Sequence, residues 1–192
     1  MKLNKKLLGF AAISLPFAFA PIALSASCNK EDKLELTIAE EKSDLELEQG
    51  IEKFHQQDDL KLTNISKAKL TVLSKDVLNK IAKEEKNGKT YYSMAYSFKT
   101  GKFHGIKDGE PTKANFEGEE LFAIEGLDTT VTACAPTKNP IYKRKSDNKA
   151  MITAFINCQV EGKTITFKFR LHNYSANKAI SSQVYQAKIT LK

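Results

Sequence analysis

The chain has no tryptophan, and among its 30 basic residues only Arg144 and Arg170 are arginine. Arginine is the usual choice for bidentate contacts to phosphates and base edges. Its scarcity argues against a sequence-specific nucleic-acid partner. A lysine excess this strong is first a bias of composition and only then a signal of binding. Histidine is as sparse. His55, His104 and His172 are the only three, and no two stand at a metal-ligand spacing. Lys99-Thr100-Gly101-Lys102 lacks the spacing of a phosphate loop. With no acid–base constellation in view, the sequence predicts no enzyme, no cofactor and no metal.

Charge is missing altogether from Leu7 to Leu24, behind a tip, Met1 to Lys6, that carries three lysines and no acid. A basic n-region followed by an apolar h-region is what an export signal requires. The rival is a retained span, which needs roughly 20 predominantly apolar residues. Pro16 and Pro21 interrupt the run and break helix geometry, which favours a cleaved signal. No later uncharged stretch approaches spanning length.

Small residues close the run at Ser25-Ala26-Ser27-Cys28. This resembles the lipobox of bacterial prolipoproteins. Leucine is expected three residues before the cysteine; here Ser25 stands there, with Leu24 one place further back. Relaxed boxes of this kind are similar to those of mollicutes, the mycoplasma-type bacteria, and so is the lysine-rich, tryptophan-free composition. The resemblance covers the leader alone. It implies that the Cys28 thiol receives diacylglycerol (palmitate-type chains) and becomes the first mature residue. The protein would then sit on the extracellular face of the cell membrane. Two acyl chains give stable anchoring where one gives only marginal binding.

The chain therefore divides into a signal peptide, 1–27, a tether, 28–33, and a single domain, 34–192. The 165 residues left after cleavage suffice for one real core. Residues 28–60 hold 4 basic and 11 acidic side chains, whereas 61–192 hold 23 basic and 12 acidic. The basic body reads either as a solvated lysine surface or as a surface attracted to anionic lipid, glycan or nucleic acid.

If Cys28 carries lipid, Cys134 and Cys158 remain, 24 residues apart. An even remainder in an exported chain invites a disulfide. Two buried free thiols are the alternative. Cys158 could also be paired with His172 or His104 as a nucleophile. However, a catalytic thiol needs an exposed electropositive setting, and strand register turns Cys158 into the core.

Alternation predicts strands at 34–38, 69–73, 92–98, 103–106, 121–124, 129–135 and 185–191, with Leu60 to Leu62 a further candidate. From Met151 to Leu171 two alternating runs flank Glu161-Gly162, which predicts a hairpin placing Cys158 opposite Ile165. Ser43-Asp44-Leu45-Glu46 matches a capping box, with Leu47, Ile51 and Phe54 behind it at helical spacing. A second helix is expected after Ser74, with Val77, Leu78, Ile81 and Ala82 as its stripe and Asn87-Gly88 as its end. The expected fold is α+β, an antiparallel sheet with one or two packed helices.

Tyr91, Tyr92, Tyr96 and Phe98 cluster beside Lys99 and Lys102. Such a cluster can stack on sugars or bases, although plain strand packing gives the same pattern. The triplets Asn64-Ile65-Ser66 and Asn173-Tyr174-Ser175 match a glycosylation acceptor by chance alone in a bacterial-type chain. The expected function is a lipid-anchored, non-enzymatic binding, adhesion or surface-assembly module for a host or environmental macromolecule. The alternative is an accessory ligand-binding subunit of a transporter or surface enzyme complex. A small surface hydrolase is disfavoured by the missing acid–base groups.

Overall fold

A computed structural model describes residues 31–48, 51, 53–62, 69–106, 118–175 and 178–192. The signal segment, Cys28 and Asn64 lie outside them. The fold is nearly all β, which corrects the α+β expectation: the described residues contain no helix of seven residues or more. The strands are β1 (Lys33–Glu40), β2 (His55–Gln57), β3 (Lys69–Val72), β4 (Ala82–Lys86), β5 (Lys89–Ser97), β6 (Lys102–His104) and β7 (Glu120–Glu125). They continue as β8 (Val131–Cys134), β9 (Ile141–Lys143), β10 (Ala150–Ile152), β11 (Phe155–Glu161), β12 (Thr164–Asn173), β13 (Ala179–Ser181) and β14 (Val184–Thr190).

The main sheet runs β1-β14-β12-β11-β5-β6-β7-β3. Its two end strands, β1 and β3, approach each other, so the sheet curls into a nearly closed barrel. Closure is how antiparallel folds suppress unpaired strand edges. Phe103, Phe122, Phe167 and Phe169 fill the interior with Met94, Leu121, Ile156, Ile165 and Ile189. Phe103 lies at the centre. Its ring centroid is 4.9 Å from that of Tyr96, 5.1 Å from Phe167 and 5.8 Å from Phe169.

Both expected helices fail for readable reasons. Of the second, one turn survives, α1 (Val77–Lys80). Lys83 to Lys86 are instead an exposed strand that, among the described residues, pairs only with β5, and its charges suit an edge. Asn87 and Gly88 do not end a helix. Their φ values, 53° and 70°, are both left-handed, and Lys86 faces Lys89 across them. A two-residue turn of that kind matches the twist of a hairpin. In the first, the backbone at the expected start bonds to distant neighbours. Ser43 N–H donates to Ser182 O and Glu46 N–H to Lys138 O, both at 2.9 Å. Leu60 to Leu62 form no strand either.

The hairpin of β11 and β12 turns one residue later than the sequence predicts. Val160 faces Ile165 and Cys158 faces Phe167, with Gly162 at φ 57° in the turn. Relative to the expected register the slip is two residues. Side chains alternate with period two, so the apolar face is preserved. The run from Met151 also breaks at Thr153 and Ala154, and β10 pairs away with β9.

Strand β12 is the hub. Its first half pairs with β11 and β14, and its second half with β8 and β13. Phe169 through Leu171 and His172 are all buried, which a strand with one wet face cannot be. A second apolar layer covers the outer face there. Leu45, Leu47, Ile51 and Phe54, with Ile141, Ala150 and Ile152, pack against Cys134 and Ile180.

Candidate functional site

The second layer does not close over the sheet completely. Between Ile51, Lys53 and Phe54, the turn after β5, and β10 there is a cavity of about 580 Å³. That volume lies inside the usual range for ligand sites. Strand β5 brings Tyr96 to it and ends, so that Phe98 swings outward into the turn. Phe98 is 60% exposed, and its ring centroid is 6.4 Å from that of Tyr174. Met151 and Tyr174 are also exposed at the mouth. Ile51, Phe54, Ala133, Ile152 and Ala154 wall the interior.

Three lysines, Lys53, Lys149 and Lys178, line the cavity, and among the described residues no carboxylate lines it. Lys178 Nζ donates to the Tyr174 carbonyl at 2.9 Å. Lys149 is 3.7 Å from Asp147, whose carboxylate is held in a fork by the Arg144 guanidinium. The cavity is therefore apolar within and cationic at its edge.

Its floor carries His172, on the C-terminal half of β12. The ring is 3% exposed. Thr132, on β8, donates its hydroxyl proton to the His172 carbonyl oxygen at 3.1 Å. That single proton is thereby committed, so Thr132 Oγ1 meets His172 Nδ1, 3.3 Å away, as an acceptor. The bond pattern assigns the ring proton to Nδ1. Nε2 is left as a bare acceptor, buried and without a partner among the described residues. Burial, with a smaller push from the Lys178 charge, lowers the His172 pKa to about 4. The ring is thus neutral at neutral pH.

Arg170 stands two residues before His172 and is fully buried. Among the described residues no carboxylate is within ion-pair distance of it. Its Nε donates to Thr137 O at 3.1 Å and Pro136 O at 3.3 Å, and Nη1 donates to Ser181 O at 2.8 Å and Ser182 O at 3.0 Å. Two bends that leave the sheet are therefore tied to one strand. Burial lowers the Arg170 pKa.

Cys134 and Cys158 are buried free thiols, and burial pushes each up to about 12. Cys158 faces Phe167 and Cys134 faces Arg170, three residues apart on β12. They therefore sit about 10 Å apart along the strand and on opposite faces. Neither borders the cavity, and the histidines are not brought together. His104 is buried and held by Thr100 and the Gly118 carbonyl, and His55 is exposed. Of the aromatic cluster, Tyr96 and Phe98 reach the cavity and Tyr91 and Tyr92 do not. Thr132 and the three lysines were not singled out by sequence reasoning, and His172 was weighed only as a partner for Cys158, which lies elsewhere. Alternation alone puts His172 on a wet face, and only the second layer buries it.

A model of the Mycoplasma P30 protein family matches residues 39–190, nearly the whole folded domain. The chain belongs to this family. It is thus a mycoplasma-type protein, and P30 is a membrane-associated surface family. The matched span includes every cavity residue named above. No curated protein and no solved structure is similar enough to match.

Proposed function

We propose that the protein is a lipid-anchored surface lipoprotein, held by acylated Cys28 on the outer face of the membrane. It acts there as a non-enzymatic binding or adhesion module. The observation that carries the reading is the cavity, in which exposed aromatic rings and three lysines surround an apolar interior. Aromatic residues at a pocket mouth are the usual anchors of recognition. Surrounding cations steer an anionic partner to it. Membership of a membrane-associated surface family supports the same address. The cavity volume also suits a small ligand, which supports the second reading, an accessory ligand-binding subunit of a surface complex.

Cells carrying the full-length protein test both parts. Cys28→Ser is expected to abolish palmitate labelling and to shift the protein from the detergent phase to the aqueous phase. Reversing Lys53, Lys149 and Lys178 to glutamate is expected to leave the protein anchored but to lower adherence to a host-cell layer by about tenfold. Unchanged labelling of Cys28→Ser removes the anchor. Unchanged adherence of the reversed protein removes the binding role of the cavity. If adherence is unchanged and small-molecule uptake falls instead, the transporter reading takes its place.

A further inference from the structure

The amino-terminal entry to the domain and the cavity lie at opposite ends of the sheet. Lys33, which opens β1, faces Thr190 of β14, and Thr190 faces Thr164, which opens β12. His172 and Tyr174, at the other end of β12, line the cavity. From Thr164 to His172 the strand advances about 26 Å. Strand β5 runs parallel to β12 across β11 and delivers Phe98 to the same end. An anchor at Cys28, just before Lys33 in the chain, therefore holds the end remote from the cavity.

Of the seven large hydrophobic side chains exposed among the described residues, four gather at that remote end. Phe98, Met151 and Tyr174 line the cavity, and Tyr142 faces Met151 across the β9–β10 pair. Polar groups of the lining are already engaged. The Thr132 hydroxyl donates to the His172 carbonyl at 3.1 Å, and the Tyr174 hydroxyl donates to the Thr129 carbonyl at 2.7 Å. Acids of the covering layer are paired too, Asp44 and Asp58 with Lys42 and Glu46 with Lys138. The positive charge at the cavity comes from Lys53, Lys149 and Lys178. Both arginines are spent elsewhere, Arg170 on carbonyls and Arg144 on Asp147. Protein interfaces favour arginine and are depleted in lysine. A compact ammonium on a flexible stem suits mobile anionic headgroups, and tyrosine rings seat at headgroup level.

We propose that this end of the domain docks on the surface of a second bilayer that carries anionic lipid, so that the protein bridges two membranes. The inference rests on the lipid-anchored binding-module reading and names its partner. Phe98 and Met151 enter the acyl boundary, Tyr142 and Tyr174 lie among the headgroups, and the three lysines meet headgroup charge.

The test reconstitutes the full-length protein in phosphatidylcholine vesicles and measures capture of a second, labelled vesicle population. Vesicles with about one-third phosphatidylserine are expected to be captured about tenfold better than pure phosphatidylcholine ones, and the advantage should shrink as salt is added. Reversal of the three lysines to glutamate should lower capture of the anionic vesicles at least about tenfold. Phe98→Ala should lower it about fivefold without lowering the melting temperature, because the ring is exposed. Equal capture of anionic and neutral vesicles overturns the proposal, as does capture of neither. Failure of the protein to stay in the first vesicles overturns the bridge together with the anchor. If no vesicle is captured while the lysine-reversed protein still loses adherence to host cells, the partner is a protein or glycan. This inference then falls and the binding-module reading survives.

Discussion

Replacing Arg170 by leucine is expected to lower the unfolding free energy by about 3–5 kcal/mol, the cost of leaving buried carbonyls without a charged donor. The urea midpoint should fall with an unchanged slope. Hydrophobic replacement of a buried ion pair is often tolerated, because both charges leave together. Here the partners are the carbonyls of Pro136, Thr137, Ser181 and Ser182, which stay behind. Arg170→Lys sharpens the argument. Lysine keeps the charge but offers one point of donation instead of a planar fork. It is expected to recover less than half of the loss. A leucine variant within about 1 kcal/mol of wild type would show that the guanidinium is not what ties the two bends to β12.

Phe103→Ala is expected to cost about 3–5 kcal/mol, the range for emptying a fully packed aromatic site. The side chain is completely buried and its ring meets three others, Tyr96 from β5 and Phe167 and Phe169 from the middle of β12. Small domains have only about 5–15 kcal/mol in total, so the variant should be substantially unfolded near 37 °C. Phe103→Leu keeps most of the volume and should lose about 1–1.5 kcal/mol. Thermal unfolding followed by near-ultraviolet circular dichroism checks both. If the alanine variant melts with wild type, the barrel is not organised on this ring.

These two sites show what the sequence makes legible. The barrel interior was readable. Ile165, Phe167, Phe169 and Leu171 alternate strictly, and all four face the core. Cys158 was placed on that face correctly even though the hairpin turns one residue later than expected, because a two-residue slip leaves faces unchanged. The strands at 69–72, 120–125, 131–134 and 184–190 follow the same period-two rule.

The helices were misread where two signals share one chemistry. Asn-Gly supplies left-handed φ to a helix end and to a hairpin alike. Lys83-Glu84-Glu85-Lys86 suits a solvated helix and a charged edge strand equally, and only the pairing with β5 decides. In the 43–54 segment, tertiary bonds to Ser182 and Lys138 override the capping box.

The candidate site was the least legible part. Arg170 and His172 occupy the positions that alternation assigns to water. They are buried only because Leu45, Leu47, Ile51 and Phe54 and the β9–β10 hairpin fold over that stretch of sheet. No local pattern announces which part of an outer face will be covered. One signal was available. In a chain whose basic residues are nearly all lysine, the two arginines stand out. Each does what lysine cannot. Arg144 grips both oxygens of Asp147, and Arg170 spreads one plane over four carbonyls.

The central claim is that recognition happens in the cavity floored by His172. The most direct measurement is adherence to a host-cell layer by cells carrying the full-length protein with Lys53, Lys149 and Lys178 reversed to glutamate, compared with the unaltered protein at equal surface level. The account predicts about tenfold lower adherence with palmitate labelling at Cys28 intact. Unchanged adherence would contradict the claim.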